Sequence, residues 1–256
     1  SIAMFYDLDD PNKFVQDIHR VLKQDGLWIL QLNYLSLMLA QNDFPTMCHE
    51  HLCYYSLYTL NYLLKKNNFR IIDCELNETN SGSIRLYIQK SDYNNTNFGN
   101  NITRDIGLIR IQSLLEHEKG LILNDTSVYI KFYAHIKKLK KEIASFIKTE
   151  KEKGKTIWIY GSSTKGNTLL QYYNLDNTLI DGVAERQKIK WGLKTIGTNI
   201  PVYSEEEMRK THPNYLLILP WHFINEFKER EKEYLENDGE FIIPCPELQI
   251  IGKENL

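Results

Sequence analysis

Residues 48–56 contain more side chains that can carry or transfer protons than any other stretch of the chain. In order they are Cys-His-Glu-His-Leu-Cys-Tyr-Tyr-Ser, which places two thiols, two imidazoles, one carboxylate and two phenols within nine residues. Such a cluster has three interpretations: a metal site, a general-base site, or a polar loop that precedes a helix. The spacing of the residues and the elements around them distinguish these interpretations.

The metal interpretation rests on Cys48, His49, His51 and Cys53, whose sulfur and nitrogen atoms are common zinc ligands. Structural zinc sites usually draw two pairs of ligands from separate segments, and the sequence offers no second pair. The spacing therefore disfavours a metal site, and no metal ligand is predicted in this chain.

The general-base interpretation rests on His51, which follows Glu50 and precedes Tyr54 and Tyr55. An imidazole exchanges protons near neutral pH, a neighbouring carboxylate favours its protonated form, and phenols donate hydrogen bonds. This interpretation is favoured. A polar loop whose histidines bond to backbone groups stays open as the alternative.

The composition is that of a chain of 256 residues with a formal net charge of -2, long enough for one large or two ordinary domains. This charge favours neither nucleic acid nor membrane as a partner, and no apolar run is long enough to span a membrane. The cysteines at 48, 53, 74 and 245 form no CxxC pair. We therefore expect a reducing, cytoplasmic location, with no signal peptide.

The first part of the chain alternates short apolar runs with helical patterns, which is typical of an α/β domain. The chain starts with serine and with an apolar segment like the end of a buried strand, so we expect the carboxyl portion of a longer protein. Asp10 and Pro11 mark one helix start, and Ser56 is the expected N-cap of another. Residues 1–8 are predicted to form a strand followed by a loop. The other predicted strands are residues 27–32, 69–76 and 83–89, the last two antiparallel.

The second part of the chain follows an asparagine-rich linker, predicted at residues 91–104, and two helices at about 105–121 and 125–153. It contains a second, open and mostly parallel α/β unit. Ser204 and Glu207 form a predicted capping box. The predicted strands of this unit are residues 156–160, 179–184, 200–202, 215–219 and 240–243, with a helix at 169–173 and another at 221–236.

A predicted turn in this second unit joins a strand to a helix, where backbone N–H groups and the positive helix end favour an anion. Ser163 stands where a dinucleotide fingerprint has its second glycine, and the order of residues excludes a Walker loop. Lys165 and the hydroxyl residues supply charge and hydrogen bonds instead. A nucleotide site and an ordinary tight turn both fit. The candidate residues are Gly161, Ser162, Ser163, Lys165 and Asn167.

Three further residues are candidates for substrate binding. Glu185 ends the next strand, where an acidic residue often contacts ribose hydroxyls. Trp221 follows a later strand, where it stacks on a base or sugar or else belongs to the core. Arg85 lies among apolar strand residues and therefore requires an anionic partner, either a carboxylate or a phosphate.

Three motifs together carry a specific resemblance. They are His-Glu-His-Leu-x-Tyr-Tyr-Ser at 49–56, Asn-x-x-Asn-x-Gly-Ser-x-Arg at 77–85, and Tyr-Gly-Ser-Ser-x-Lys-Gly-Asn-Thr at 160–168. The chain resembles the S-adenosylmethionine-dependent C-methyltransferases of deoxysugar biosynthesis, which methylate nucleotide-linked 4-keto sugars at C3. The match extends through nearly all of the chain.

The resemblance implies a fold class and a division into domains. In that family a zinc-binding domain precedes a class I methyltransferase domain and a carboxyl-terminal Rossmann-like domain. We therefore expect an α/β protein: the carboxyl part of a methyltransferase Rossmann-like domain at 1–92, connecting helices at 93–154, and a second Rossmann-like, substrate-binding domain at 155–256. Zinc is expected only in the part that precedes this chain.

The resemblance also implies a mechanism. A ketone at C4 acidifies the C3 proton, a base removes it, and the enolate carbon attacks the methyl group of S-adenosylmethionine. His51 matches the family's base and Glu50 the carboxylate beside it, while Tyr54 and Tyr55 would donate to the enolate oxygen. Lys165 would help to hold the diphosphate of the nucleotide sugar.

The chain departs from the family pattern at three points. The glycine-rich cofactor loop and the zinc-domain cysteines are absent, and a family tyrosine falls on Cys48. We therefore expect this chain alone to bind S-adenosylmethionine poorly and to be inactive. Two alternatives stay open: a non-catalytic nucleotide-sugar binding module, and an NAD(P)-type oxidoreductase, which the missing second glycine disfavours.

Overall fold

The computed structural model describes residues 1–93 and 101–255, and it divides into two compact units. Unit 1 comprises Ser1–Gln41 and His49–Lys131, and unit 2 comprises Asn42–Cys48 and Phe132–Leu256. Residues 94–100 of the predicted linker lie outside the described residues, and the helix after it begins at Asn101.

Unit 1 contains a three-stranded sheet formed by β1 (Trp28–Asn33), β2 (Phe69–Asn77) and β3 (Ser83–Lys90). The order is β1-β3-β2, and β3 is antiparallel to both neighbours. The predicted antiparallel pair is therefore confirmed, and β1 and β2 run parallel to each other on either side of β3.

The strand predicted at the start of residues 1–8 is wrong. Ile2 makes only an isolated bridge to Gln31, and Phe5–Asp7 forms a 3-10 helix. Phe5 is fully buried, with its ring 5.3 Å from that of Tyr55, which explains the apolar character of the segment. A short apolar run shows that residues are buried, but its periodicity does not distinguish a strand from a single helical turn.

The helices of unit 1 begin where local capping chemistry predicts. The Asp10 side chain accepts a hydrogen bond from the backbone N–H of Lys13, and Pro11 occupies the first helical position. Ser56 and Thr59 form a reciprocal capping box. The helices are α1 (Pro11–Val21), α2 (Leu35–Ala40), α3 (Leu57–Lys66) and α4 (Asn101–Leu121), while α5 (Thr126–Glu152) continues from unit 1 into unit 2.

Two glycines of α4 have opposite surroundings, which predicts opposite effects of alanine. A Cβ atom at Gly107 would lie 2.5 Å from the backbone oxygen of Ile72 in β2, whereas one at Gly120 would meet nothing within 4 Å. We expect Gly107→Ala to lower the free energy of unfolding by about 1–3 kcal/mol, because α4 must move away from the sheet. Gly120→Ala should raise it by about 0.5–1 kcal/mol, because alanine favours the helix.

Urea unfolding of the two variants, followed by circular dichroism, measures both changes. The matched pair separates packing from helix propensity, since both substitutions add the same methyl group to the same helix. A stabilising Gly107→Ala would contradict the described packing of α4 on β2.

Unit 2 contains a six-stranded sheet in the order β6-β5-β4-β7-β8-β9. The first five are parallel and β9 is an antiparallel edge, so a mostly parallel Rossmann-like α/β unit is confirmed. From β4 the chain continues to β5 and β6 on one side of the sheet, and from β7 it continues to β8 and β9 on the other side. The gap between β4 and β7 is therefore the topological switch point, where ligands of such sheets usually bind. The strands are β4 (Ile157–Tyr160), β5 (Gly182–Glu185), β6 (Val202–Ser204), β7 (Tyr215–Ile218), β8 (Glu240–Ile243) and β9 (Gln249–Ile251).

The helices of unit 2 differ from the sequence prediction in two places. The first helix starts at Thr164 rather than 169, because the Ser163 hydroxyl caps it. The helix predicted at 221–236 is divided into a 3-10 turn and two short helices, and the predicted capping box at Ser204 and Glu207 is confirmed. The helices are α6 (Thr164–Tyr173), α7 (Glu205–Thr211), α8 (Ile224–Arg230) and α9 (Lys232–Glu236).

Candidate functional site

His51 in unit 1 is half-buried against the first 3-10 helix. Its ring centroid lies 4.3 Å from that of Tyr6. The backbone N–H groups of Leu52 and Cys53 donate to the carbonyl oxygen of Tyr6 at 2.9 and 3.1 Å. One face of the imidazole is therefore packed, and part of the ring stays open to solvent, as a group that takes a proton from a bound molecule requires.

Glu50 and His49 lie in an exposed turn just before His51. Among the described residues, the Glu50 carboxylate makes no hydrogen bond to the His51 ring. The orienting role that the sequence predicts for Glu50 stays a prediction.

The two tyrosines after His51 have different surroundings. Tyr54 is half-buried, whereas Tyr55 is buried in the hydrophobic core of unit 1. The backbone oxygen of Tyr55 accepts a hydrogen bond from the N–H of Leu35 at 3.0 Å. Burial raises the pKa of Tyr55, and the neighbouring Cys53 thiol raises it further. The Tyr55 phenol therefore keeps its proton, and of the two tyrosines Tyr54 is the more accessible donor.

Arg85 on β3 has an anionic partner within the sheet. Its guanidinium lies 2.6 Å from the Glu75 carboxylate on β2, and its Nε donates to the side-chain oxygen of Gln31 at 2.8 Å. Hydrogen bonding with Tyr87 and Glu75 raises the pKa of Arg85. Of the two partners considered from the sequence, the structure contains the carboxylate.

In unit 2, the turn after β4 contains three of the predicted binding residues. Gly161 adopts φ +87°, a left-handed conformation that favours glycine. The N–H of Ser162 donates to the Glu185 carboxylate at 3.1 Å, and the Ser163 hydroxyl accepts from the N–H of Gly166 at 3.0 Å. Lys165 and Asn167 consequently lie in the first turn of α6, at its positive end.

Lys165 forms an ion pair that the sequence does not predict. Its ammonium nitrogen lies 3.3 Å from the Asp43 carboxylate, which is only 1 % exposed and also accepts from the Thr46 hydroxyl at 2.8 Å. Burial lowers the pKa of the nearby His222, and the charge of Lys165 lowers it further. The switch point of unit 2 therefore combines a buried carboxylate, an ammonium group and a neutral imidazole.

Glu185 and Trp221 are both buried at the same edge of the sheet. The Glu185 carboxylate accepts hydrogen bonds from the N–H groups of Ser162 and Gln187 and from the Lys190 ammonium. Trp221, 7 % exposed, belongs to the hydrophobic core of the unit. The Glu185 carboxylate thus stabilises the turns that contain Ser162 and Gln187. A bound ribose would have to replace one of these hydrogen-bond partners.

Three residues near the candidates are not predicted by the sequence: Tyr6, Asp43 and Glu118. Tyr6 looks like part of a strand, and Asp43 looks like a turn residue before a proline. Glu118 looks like one of many charges on a solvated helix, yet it is only 4 % exposed. No local pattern marks such residues, because their partners are far away in sequence.

In residues 1–93 and 101–255, no group of three or more His, Cys, Asp and Glu side chains is close enough to hold a metal ion. Within the same ranges, no helix is long and apolar enough to cross a membrane.

Among the described residues of unit 1, no glycine turn follows the strand β1. A nucleoside such as S-adenosylmethionine needs a glycine turn at the carboxyl end of a strand, where the backbone approaches it closely. The strand β1 continues into α2 through Asn33 and Tyr34, without a glycine. Gly107 and Gly120 lie inside α4, whereas Gly82, with φ +113°, lies in the turn between β2 and β3.

Comparison with known proteins places the chain in a family. The family model described as "C-methyltransferase C-terminal domain" matches residues 78–246. "C-methyltransferase NovU" of Streptomyces niveus is 28 % identical over 253 residues, which cover 98 % of this chain and 57 % of that protein. The chain thus spans little more than half the length of this curated relative. It belongs to the family of C-methyltransferase C-terminal domains.

Proposed function

We propose that this chain is the carboxyl part of an S-adenosylmethionine-dependent C-methyltransferase, an enzyme that methylates the carbon next to the ketone of a nucleotide-linked keto-deoxysugar. The family match and the named relative support the reaction class. The observation that carries the proposal is the half-buried imidazole of His51, held against Tyr6 and followed by two phenols.

The proposed chemistry of this chain is a proton transfer. A ketone acidifies the neighbouring C–H group, and His51 takes that proton as a general base and becomes an imidazolium. The electron pair of the broken C–H bond moves to the carbonyl oxygen and forms an enolate. The Tyr54 phenol donates a hydrogen bond to this oxygen, and Tyr55 is the second proposed donor. Glu50 stabilises the charge of the imidazolium.

Unit 2 is proposed to hold the nucleotide diphosphate. Lys165 and the N-terminal end of α6 supply positive charge, and the turn at Gly161, Ser162 and Ser163 supplies backbone and hydroxyl donors. Asn167, Glu185, Trp221 and, in unit 1, Arg85 remain proposed substrate contacts. A non-catalytic nucleotide-sugar binding module is the alternative function, since unit 2 has a hydrophobic core of its own.

Product analysis tests the proposed reaction. The full-length natural protein is incubated with S-adenosylmethionine and a nucleotide-linked 4-keto-6-deoxysugar, and the sugar is examined by mass spectrometry and NMR. We expect one added methyl group on the carbon next to the ketone. Binding of the sugar nucleotide without any methylated product would support the binding module, and tight NAD binding would contradict both.

Diphosphate binding gives a prediction for Lys165. Lys165→Ala should weaken the binding of a nucleoside diphosphate by about 10- to 100-fold, because a charge-assisted contact is lost. Lys188→Ala is the matched control, since Lys188 is exposed and its loss changes the net charge equally. Isothermal titration calorimetry measures the dissociation constants.

Asp43→Asn completes this test. Because Asp43 competes with the diphosphate for Lys165, its neutral variant should bind the diphosphate about tenfold more tightly. Equal affinities of the Lys165 and Lys188 variants would remove Lys165 from the binding site. Weaker binding by Asp43→Asn would mean that the ion pair orients Lys165 rather than competing for it.

A further inference from the structure

Glu118 on α4 is a buried carboxylate with a complete set of local hydrogen-bond donors. Its side chain accepts three hydrogen bonds: from the Tyr34 hydroxyl at 2.7 Å, from the N–H of Leu57 at 2.5 Å and from the N–H of Tyr58 at 2.8 Å. Both carboxylate oxygens are used. A buried charge is costly unless it is neutralised and bonded, so this arrangement is specific rather than incidental.

The donors belong to the start of α3, which immediately follows the candidate stretch. Ser56 already satisfies the N–H of Thr59 through the capping box, and Glu118 satisfies the N–H groups of the two residues between them. The positive end of the helix dipole compensates the negative charge. A residue about sixty positions away thus completes the cap of α3.

Tyr34 connects the same carboxylate to the other side of the stretch. The backbone of Tyr34 pairs with that of Tyr55 in an isolated parallel bridge, and Leu35 donates to the oxygen of Tyr55. Burial raises the pKa of Tyr34, and the hydrogen bond to Glu118 adds to this, so the phenol remains a donor. Residues 55–58 are therefore held by Glu118 directly and through Tyr34.

The beginning of the stretch is held separately, by the oxygen of Tyr6, which accepts from Leu52 and Cys53. Tyr54 lies between these two anchors, Tyr55 is the first residue of the second anchor, and His51 stands just before the first anchor. A change at the Glu118 anchor consequently moves the phenols relative to the imidazole, without touching either side chain.

We propose that Glu118 is a positioning residue for the proton transfer, which fixes the Tyr54 and Tyr55 end of the stretch relative to His51. This inference rests on the proposed function for its chemical meaning. It assigns Glu118 no contact with the substrate. Its effect should therefore fall on the turnover rate rather than on substrate affinity, because misplaced groups raise the barrier without removing a binding contact.

Glu118→Gln and Glu116→Gln form a matched pair. Both remove one negative charge from α4, but Glu116 is exposed and pairs with Lys119 at the surface. The glutamine at 118 keeps one acceptor oxygen and turns an NH2 group toward backbone donors, so at least one hydrogen bond is lost. Both variants are studied in the full-length natural protein, well below their unfolding temperatures.

Two measurements test the positioning role of Glu118. Amide hydrogen–deuterium exchange of residues 54–58 should become about 10- to 100-fold faster in Glu118→Gln and stay unchanged in Glu116→Gln. In D2O, the rate of deuterium incorporation next to the substrate ketone should fall about 10- to 100-fold at saturating substrate, with KM changed less than about twofold.

The outcomes separate this inference from the proposed function. If the wild-type protein incorporates no deuterium, the proposed function fails, and amide exchange alone decides whether Glu118 holds the stretch. If amide exchange in Glu118→Gln equals that in Glu116→Gln, the positioning role is refuted. A Glu118→Gln variant that melts earlier but turns over at the wild-type rate would also refute it, since Glu118 would then serve stability alone.

Discussion

Replacing His51 by asparagine in the full-length natural protein is expected to slow methyl transfer by about 10²- to 10⁴-fold, the usual contribution of a general base. Asparagine keeps a polar group of similar size at the position but cannot take up a proton. The affinity for the nucleotide sugar should change little, because the diphosphate is proposed to bind unit 2. Steady-state rates of methylated product, with calorimetric binding of the sugar nucleotide, measure both quantities.

His49→Asn is the control for this experiment. His49 is exposed and two residues from His51, so the substitution makes the same chemical change in the same stretch. We expect a rate within about twofold of the wild type, as for a surface substitution away from the reacting atoms. Equal losses in the two variants would indicate that the stretch tolerates neither change and would remove the specific role of His51.

Alkaline pH is expected to unfold unit 2 steeply. Tyr160, Tyr173 and Tyr234 are buried, and burial is the main cause that raises the pKa of each above its ordinary value near 10. These phenols therefore stay protonated in the folded state at a pH where the unfolded chain has lost the protons. Their contribution to the free energy of unfolding is fully present below about pH 10 and is lost as pH rises toward the folded-state pKa values. The loss is about 1.4 kcal/mol per pH unit for each tyrosine, or about 4 kcal/mol per pH unit for the three together.

Ultraviolet absorbance of tyrosinate, recorded together with circular dichroism, measures this transition. The buried tyrosines should ionise only as the fold is lost. Tyr173→Phe should reduce the pH dependence of the unfolding free energy by about 1.4 kcal/mol per pH unit, whereas Tyr62→Phe, at a position 68 % exposed, should not. Ionisation of all tyrosines near pH 10 in a fully folded protein would contradict the described burial.

Local chemistry explains which parts of the fold are predictable from the sequence. Asp10, Ser56 and Ser204 each cap a helix within three residues, and the structure confirms all three. The α/β class and the mostly parallel second unit follow from apolar runs of strand length. The segment around Phe5 is different, because its burial is visible in the sequence but its backbone conformation depends on rings that are distant in the chain.

The candidate site is predictable only where neighbours in sequence are neighbours in space. The turn at Gly161 is an example. The ion pair of Lys165 with Asp43 joins residues 122 positions apart, and the Glu118 carboxylate meets Tyr34 across 84. Both acidic residues have ordinary sequence surroundings, so only the folded chain shows that they are buried and paired.

Deuterium exchange tests the central proposal, that His51 removes a proton from the carbon next to the substrate ketone. The full-length protein is incubated in D2O with a nucleotide-linked 4-keto-6-deoxysugar and without a methyl donor, and NMR follows the C3 position. We predict enzyme-dependent loss of the C3 proton signal with the wild-type protein and with His49→Asn, and none above background with His51→Asn. Exchange that persists at the wild-type rate in His51→Asn would contradict the assignment of His51 as the base.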